Sequence, residues 1–145
     1  MVFKMKYEKS CGAVVLRNIE SKLEVLLVEQ GAGHCGFPKG HVENNETEIE
    51  TAIREVKEET NIDIEIIEGF REVTHYSPFK NTSKEVVFFL GKPLNFDKEK
   101  QEEEINIVDW YSIEDALVNK ITHEVNREIL EKAVNFYVTN CWKYK

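Results

Sequence analysis

The chain has 145 residues, of which 41% are hydrophobic, so it can bury the core of one domain, and we expect residues 1–145 to form a single domain. Its net charge of −8 at pH 7 argues against duplex nucleic acid as a partner, because such binding needs clustered Lys and Arg. The first ten residues contain no apolar signal segment, and no apolar run is long enough to span a bilayer. We therefore expect a cytoplasmic protein with no membrane partner.

Two β-rich runs open the chain. They cover residues 8–17 and 22–30, and the four residues between them predict an antiparallel hairpin. Residues 31–40 hold four of the seven glycines and one of the three prolines, which predicts a loop before the next element.

Cysteine usage indicates a reducing compartment. Cys11, Cys35 and Cys141 are odd in number and far apart in sequence, which favours reduced, mostly buried thiols over disulfides. His34 and His41 lie near Cys35, but no CxxC or HxxxH spacing is present there, so we do not expect a zinc site.

A helix rich in carboxylates is predicted to follow the loop. We expect Asn44 or Asn45 to cap its N-terminus, with Glu46 and Glu48 in the first turn, where the helix dipole favours acids. One arc of the helical wheel is apolar and predicted to be buried: Ile49, Ala52, Ile53 and Val56.

Three further carboxylates lie along one edge of this helix. At about 100° per residue, Glu58 lies roughly 60° to one side of Glu55 and Glu59 about 40° to the other. Like charges at this spacing repel each other, and a divalent cation would turn the repulsion into coordination by hard oxygen ligands. The edge could equally be a solvated acidic surface, so the residues around it decide between the two.

The second half of the chain alternates strands and loops before it becomes helical. Residues 62–73 predict a strand, residues 74–83 a polar loop, and residues 84–92 a strand whose unbroken apolar centre indicates a position inside the sheet. Residues 93–103 predict a connecting loop and residues 105–111 a further strand.

Two helices are predicted after this strand. Ser112 and Asp115 form a capping box for a short helix, and Thr122 begins a longer one. The apolar residues of the longer helix are Val125, Ile129, Ala133 and Phe136. The whole pattern predicts an α/β fold with a mixed β-sheet between helices.

Gly40, Glu46 and the segment from Arg54 to Ile62 resemble the signature of the Nudix hydrolases. The Nudix box is G-x5-E-x7-R-E-U-x-E-E-x-G-U, with U apolar, and Asn61 is the single departure from it. The resemblance implies an α/β/α sandwich and a hydrolase that cleaves a phosphoanhydride of a nucleoside diphosphate linked to another group. It implies Mg²⁺ or Mn²⁺ as the cofactor.

The same resemblance implies roles for residues within the box. The metal-binding positions that it implies are Gly40, Glu55, Glu58 and Glu59. Arg54 is expected to pair with a box carboxylate such as Glu46 and to hold the loop on the helix, rather than to bind substrate.

Asn61 replaces the glycine that closes the helix in the family pattern. That glycine would adopt a left-handed conformation, and Asn is the next most tolerated residue there. We expect Asn61 to be left-handed, with an effect on helix termination and none on the chemistry.

Residues outside the box are similar to those of asymmetrical diadenosine tetraphosphate hydrolases. The element FPKGH at residues 37–41 enters the box, and Tyr76 and Lys84 precede the strand EVVFFL. The similarity covers roughly residues 10 to 118 and implies asymmetric cleavage of diadenosine tetraphosphate to ATP and AMP. The substrate-binding residues in this interpretation are His34, Lys39, Tyr76 and Lys84.

The chemistry of these side chains suits a polyphosphate. Lys39 lies between a proline and a glycine, so a rigid turn holds an ammonium group, a common phosphate ligand, near the acidic helix. His34 in the same loop is either a phosphate ligand or a structural residue. Tyr76, and less strongly Phe79, could stack on a purine or instead pack the loop onto the core.

A general base is also required, because the attacking water must lose a proton. Glu104 lies six residues before Trp110, in a region where relatives bring an additional carboxylate toward the metals. Glu58 and Glu59 are the alternatives, and the acidic run that contains Glu104 could also be a solvated loop.

Two other functions stay open at this point. One is Nudix hydrolysis of a nucleoside triphosphate, ADP-ribose or 5′-triphosphorylated RNA. The other is a non-catalytic module that binds or senses a nucleotide, which the presence of all the expected carboxylates disfavours. The expected partner of the chain is a small nucleotide polyphosphate.

Overall fold

A mixed β-sheet forms the centre of the molecule, and helices cover it. The structure is a computed structural model that describes residues 4–31, 33–77, 79–96 and 106–141. In chain order its elements are β1 (Lys6–Ile19), β2 (Lys22–Glu29), β3 (Cys35–Gly36), β4 (Lys39–His41), α1 (Glu48–Thr60), β5 (Ile64–Tyr76), β6 (Thr82–Pro93), β7 (Ile107–Ser112), α2 (Ile113–Asp115), a π-helical turn (Ala116–Lys120) and α3 (Glu124–Asn140). None of these helices is long and apolar enough to cross a membrane.

The sheet has the strand order β3-β2-β1-β6-β5, with β4 paired to β1 and β7 paired to β2. Strands β1 and β6 are parallel, and the other pairs, β1 with β2 and β5 with β6 among them, are antiparallel. Strand β6 lies between β1 and β5, and its residues 86–90 are all buried, alternately in clusters on the two faces of the sheet. The predicted mixed sheet and the inner position of this strand are confirmed.

Alternation along β1 places the two main helices on opposite faces of the sheet. Val14 and Leu16 belong to a buried cluster with Leu130 of α3. Val15 belongs to a second cluster with Val56 of α1. Since successive side chains of a strand point to opposite faces, α1 and α3 enclose the sheet as a sandwich.

The N-terminus of α1 differs from the prediction. Thr47 is the N-cap: its hydroxyl accepts from the Glu50 backbone N–H at 3.1 Å, and the Glu50 carboxylate accepts from the Thr47 N–H at 2.9 Å. Asn45 has φ +61°, whereas an N-cap needs an extended backbone. The prediction of Asn44 or Asn45 as the cap was therefore wrong, because the reciprocal pair of a capping box forms two residues later.

The buried stripe of α1 is narrower than the predicted apolar arc. Ala52 and Val56 are buried as expected, but Ile49 and Ile53 are 43% and 36% exposed. Thr60 is buried instead, and its hydroxyl donates to the Val56 carbonyl at 2.6 Å. A threonine whose hydroxyl is hydrogen-bonded can be buried at low cost in free energy. Residues 52, 56 and 60 therefore form the row through which the helix packs on the sheet.

The start of α3 also differs from the prediction. Thr122 lies before the helix, and its side-chain oxygen accepts from the Cys35 N–H at 2.7 Å. Ile129 and Ala133 are buried as predicted, whereas Val125 is 44% exposed. The helix begins two residues later because Thr122 is engaged with the loop before β3.

Other expectations are confirmed with small shifts of boundary. Strand β5 runs on to Tyr76 and β6 begins at Thr82, so the predicted loop at 74–83 is shorter. The Ser112 hydroxyl accepts from the Asp115 N–H at 3.1 Å and caps α2. All three cysteines are free and buried.

Candidate active site

Arg54 joins the loop before α1 to the helix itself. Its Nε and Nη2 donate to the two oxygens of Glu46 at 2.6 and 2.9 Å, a bidentate pair. Nη2 also donates to the His41 carbonyl at 2.9 Å. Nη1 donates to Glu55 at 2.7 Å and to Glu58 at 3.1 Å. All five guanidinium N–H groups are thus engaged inside the protein, and none is left for a substrate.

Glu46 and Arg54 both stay charged near neutral pH. The Arg54 guanidinium, followed by the Glu43 backbone N–H, holds the pKa of Glu46 down at about 2. The same hydrogen bonds to Glu46 raise the pKa of Arg54. Glu46 and Arg54 therefore hold loop and helix together.

The Glu55 carboxylate lies against the backbone of β4. A Cβ atom on Gly40 would overlap this carboxylate, so the glycine lets the Glu55 carboxylate lie directly on the strand. Burial, the largest influence, raises the pKa of Glu55, and the neighbouring Arg54 opposes that shift.

Glu59 and Glu58 extend the acidic edge in two directions. Glu59 accepts a hydrogen bond from the Lys39 backbone N–H at 3.2 Å, so the edge reaches the loop that enters the box. The Glu58 side chain is 49% exposed and faces solvent beyond Arg54.

The donor chemistry of this edge fits a hard divalent cation. Within the described residues, no three His, Cys, Asp or Glu side chains are already gathered as a metal site, because the Arg54 guanidinium lies against Glu55 and Glu58. Three carboxylates next to a backbone turn are nonetheless the oxygen ligands that Mg²⁺ and Mn²⁺ prefer. The residues that could hold such an ion are Gly40, Glu55, Glu58 and Glu59.

A cleft leads away from this edge. It consists of a cavity of about 270 Å³ that reaches Glu59 and a cavity of about 360 Å³ on the far side, between β5, β6 and the start of α3. Four residues line both cavities: His34, Lys39, Tyr76 and His123. The far cavity also has apolar walls, which Val86 and Phe88 provide.

Lys39 and Tyr76 line the cleft, and Lys84 lies beside the Tyr76 ring. Lys84 is the cross-strand partner of Tyr76, and its Nζ lies 5.9 Å from the centre of the Tyr76 ring. Burial, and next the charge of Lys84, lowers the pKa of Lys39. The fold therefore concentrates positive charge beside the acidic edge of a protein whose net charge is −8.

His123 is a cleft residue that the sequence did not single out. Its Nε2 lies 3.0 Å from Nδ1 of His34, 89 positions away in the chain. The two histidines meet because Thr122 bonds the loop at Cys35 through both its side chain and its backbone N–H. In the sequence, only the Thr-His pair before an amphipathic helix pointed to His123. Its contact with His34 forms only when the chain is folded.

Phe79 stands apart from the cleft. Phe79 is 74% exposed and is not among the residues that line either cavity. Glu104 lies outside the described residues.

Comparison with known proteins identifies the family. The model of the NUDIX domain matches residues 6–133. The chain is 42% identical over 118 residues to Nudix hydrolase 10 of Arabidopsis thaliana, an alignment that covers 78% of this chain and 40% of that protein. It is 32% identical over 120 residues to the asymmetrical bis(5′-nucleosyl)-tetraphosphatase of Mus musculus, covering 74% and 81% of the two chains.

A solved structure extends this similarity to three dimensions. The crystal structure of a C. elegans Ap4A hydrolase binary complex superposes with a TM-score of 0.81 at 32% identity, covering 91% of this chain and 98% of that one. The sequence similarity and the shared sandwich agree with the box around Arg54. The chain belongs to the Nudix hydrolase family.

Proposed function

We propose that this protein hydrolyses dinucleoside tetraphosphates asymmetrically, with diadenosine tetraphosphate giving ATP and AMP, in a reaction that depends on Mg²⁺ or Mn²⁺. The observation that carries the proposal is the cleft that runs from Glu59 past Lys39 to Tyr76, with Lys84 beside the Tyr76 ring. It combines an acidic end for a cation, a cationic middle for a phosphate chain and an aromatic end for a base. The relatives with asymmetrical tetraphosphatase names support the same substrate class.

Different side chains of the cleft are expected to bind the cation, the phosphate chain and the base. A divalent cation, when bound, neutralises phosphate oxygens and makes water more acidic. Lys39 and Lys84 offer ammonium groups to the phosphate chain, and His34 offers an imidazole N–H. Tyr76 offers one face to a base, since stacking tolerates any base.

Asymmetric cleavage follows from this division. If one nucleotide is held at Tyr76 and Lys84, the acidic edge faces a phosphate at a fixed number of bonds from that nucleotide. Only one phosphoanhydride then reaches the water in line with its leaving group. The general base is Glu104 in this proposal, with Glu58 and Glu59 as the alternatives.

A broader Nudix activity is the second candidate. The Arabidopsis thaliana relative has the higher identity of the two relatives described, 42%, and its name specifies no substrate. Nucleoside triphosphates, ADP-ribose and 5′-triphosphorylated RNA therefore belong in the same assay. The cytoplasm remains the compartment in which we expect the reaction.

Product analysis on a substrate panel tests the proposal. Diadenosine tetraphosphate with Mg²⁺ should give equal amounts of ATP and AMP on chromatography. Two molecules of ADP, or much faster turnover of ADP-ribose or a nucleoside triphosphate, would refute the substrate. The absence of any metal-dependent hydrolysis would favour a nucleotide-binding module instead.

Two substitutions address the far end of the cleft. Tyr76→Ala and Lys84→Ala should each lower kcat/KM roughly tenfold, the effect of about 1.4 kcal/mol of lost transition-state binding. Lys80→Ala is the matched control, because Lys80 is exposed in the turn between β5 and β6, whereas Lys84 is the cross-strand partner of Tyr76. Equal kcat/KM values for Lys84→Ala and Lys80→Ala would remove Lys84 from the substrate site.

A further inference from the structure

Asn126 is a polar residue in the first turn of α3 that the reaction described above does not use. Its side chain is only 8% exposed, and it lines the far cavity of the cleft. In the part of the chain that the structure describes, its side-chain amide makes no hydrogen bond. The amide opens onto the cavity, so a molecule bound there can supply the hydrogen-bond partner that the protein does not.

The surroundings of this amide indicate what that molecule is. Apolar side chains of Val86, Phe88 and Val125 line the same cavity, and the Tyr76 ring lies at its edge. Asn126 does not line the cavity that reaches Glu59. An amide among apolar and aromatic walls, away from the acidic edge, suits the polar rim of a flat aromatic ring better than a phosphate group.

Gly36 keeps the space in front of the amide open. A Cβ atom at position 36 would lie 3.2 Å from Nδ2 of Asn126 and 3.5 Å from Nε2 of His34. A side chain at position 36 would press on the amide and on the His34 ring, so the glycine keeps both groups clear.

We propose that Asn126 reads the edge of the purine base bound in the far cavity and makes adenine the preferred base. A carboxamide presents one acceptor and two donors, and the adenine edge presents the 6-amino donor beside a ring-nitrogen acceptor. The two edges pair through two hydrogen bonds, while Tyr76 covers a face of the ring. This inference rests on the proposed function only in that the far cavity holds a base.

Binding of monophosphates tests the assignment without hydrolysis or metal. Calorimetry would compare AMP, purine riboside 5′-monophosphate, which lacks the 6-amino group, and ribose 5-phosphate, which lacks the base. The wild-type protein should bind AMP about tenfold more tightly than purine riboside 5′-monophosphate. Asn126→Leu should lower the affinity for AMP about tenfold and abolish the difference, leaving the affinity for ribose 5-phosphate unchanged.

Asn140→Leu is the matched control, because Asn140 is an exposed asparagine at the other end of α3 and lies outside the cleft. It should bind all three ligands as the wild type does. Equal wild-type affinities for AMP and purine riboside 5′-monophosphate overturn the proposal, and this comparison needs no variant to fold. A parallel loss of ribose 5-phosphate binding in Asn126→Leu also overturns it, since the amide would then hold the sugar or phosphate.

Failure of this inference and failure of the proposed function give different results. If the protein discriminates between the two purine monophosphates but does not hydrolyse diadenosine tetraphosphate, base reading by Asn126 stands and the substrate is wrong. If it releases ATP and AMP but shows no discrimination between those monophosphates, the function stands and the role of Asn126 is refuted.

Discussion

His34 occupies an environment that disfavours its protonated form. Burial, and then the charges of His123 and Lys39, lowers the pKa of His34 below its ordinary value of 6.5. The 3.0 Å contact between the two rings means that one nitrogen donates and the other accepts while both rings are neutral. A further proton on His34 would end that arrangement.

The stability of the protein should therefore fall as the pH drops below about 6.5. In the window between the lowered folded pKa of His34 and its unfolded value, the unfolded chain binds more protons, so the free energy of unfolding rises with pH. Melting temperatures measured from pH 5 to 7.5 would report this slope. This slope should be smaller in His34→Asn and partly reduced in His123→Asn, which removes a ring that opposes protonation of His34. An unchanged slope in His34→Asn would contradict the assignment.

The sequence identified His34 but not its partner. A loop position beside Lys39 was visible in the chain, because both residues precede the box. The contact with His123 spans 89 positions and depends on Thr122 meeting Cys35, which no local pattern encodes. Asn126 was invisible for the same reason, since its burial depends on how α3 meets the cleft.

At the scale of the element, α1 ends as predicted although it does not begin as predicted. Asn61 has φ +63° and ψ +16°, and its N–H donates to the Lys57 carbonyl at 2.9 Å. Its own carbonyl accepts from Asn95 Nδ2 at 3.1 Å, which ties the helix end to the segment after β6. The spacing of the Nudix box predicted this helix end, because the pattern has a left-handed glycine at position 61. The N-terminus offered several Asn, Thr and Glu residues, and only the reciprocal contacts of Thr47 and Glu50 distinguish among them.

Substitution of Asn61 should reveal the left-handed backbone. Asn61→Gly should be neutral or stabilise the protein by on the order of 0.5–1 kcal/mol, because glycine adopts positive φ without strain. Asn61→Val should cost more, since a β-branched residue resists positive φ. Chemical denaturation of the three proteins measures both effects. A valine variant more stable than the glycine variant would contradict this conformation.

At the scale of the whole molecule, the sequence predicted the sandwich because two independent signals agreed. The resemblance at the box implied the sandwich, and the order of predicted strands and helices, with the unbroken apolar run at residues 84–92, predicted a sheet between helices. The strand order, with β4 and β7 beside the main strands, came only from the structure, since pairing between distant strands leaves no local pattern.

Charge distribution links the fold to cation binding. Glu55 and Glu58 share the Arg54 guanidinium, while Glu59 is held by a backbone N–H of the loop. A cation that joined this edge would connect α1 to the strand at Gly40, two elements that must separate on unfolding. Binding to the folded state alone adds to its stability by mass action.

Mg²⁺ should therefore raise the melting temperature relative to protein in excess chelator. At a concentration one hundred times the dissociation constant, the expected gain in the free energy of unfolding is about 2.7 kcal/mol. Glu55→Gln should remove most of this gain, because it replaces a charged ligand with a neutral side chain of the same shape. Glu65→Gln, an exposed position on β5 away from the edge, should retain it. If Mg²⁺ stabilised Glu55→Gln as much as Glu65→Gln, the ion would bind elsewhere. The acidic edge would then be held together by Arg54 and not by a cation.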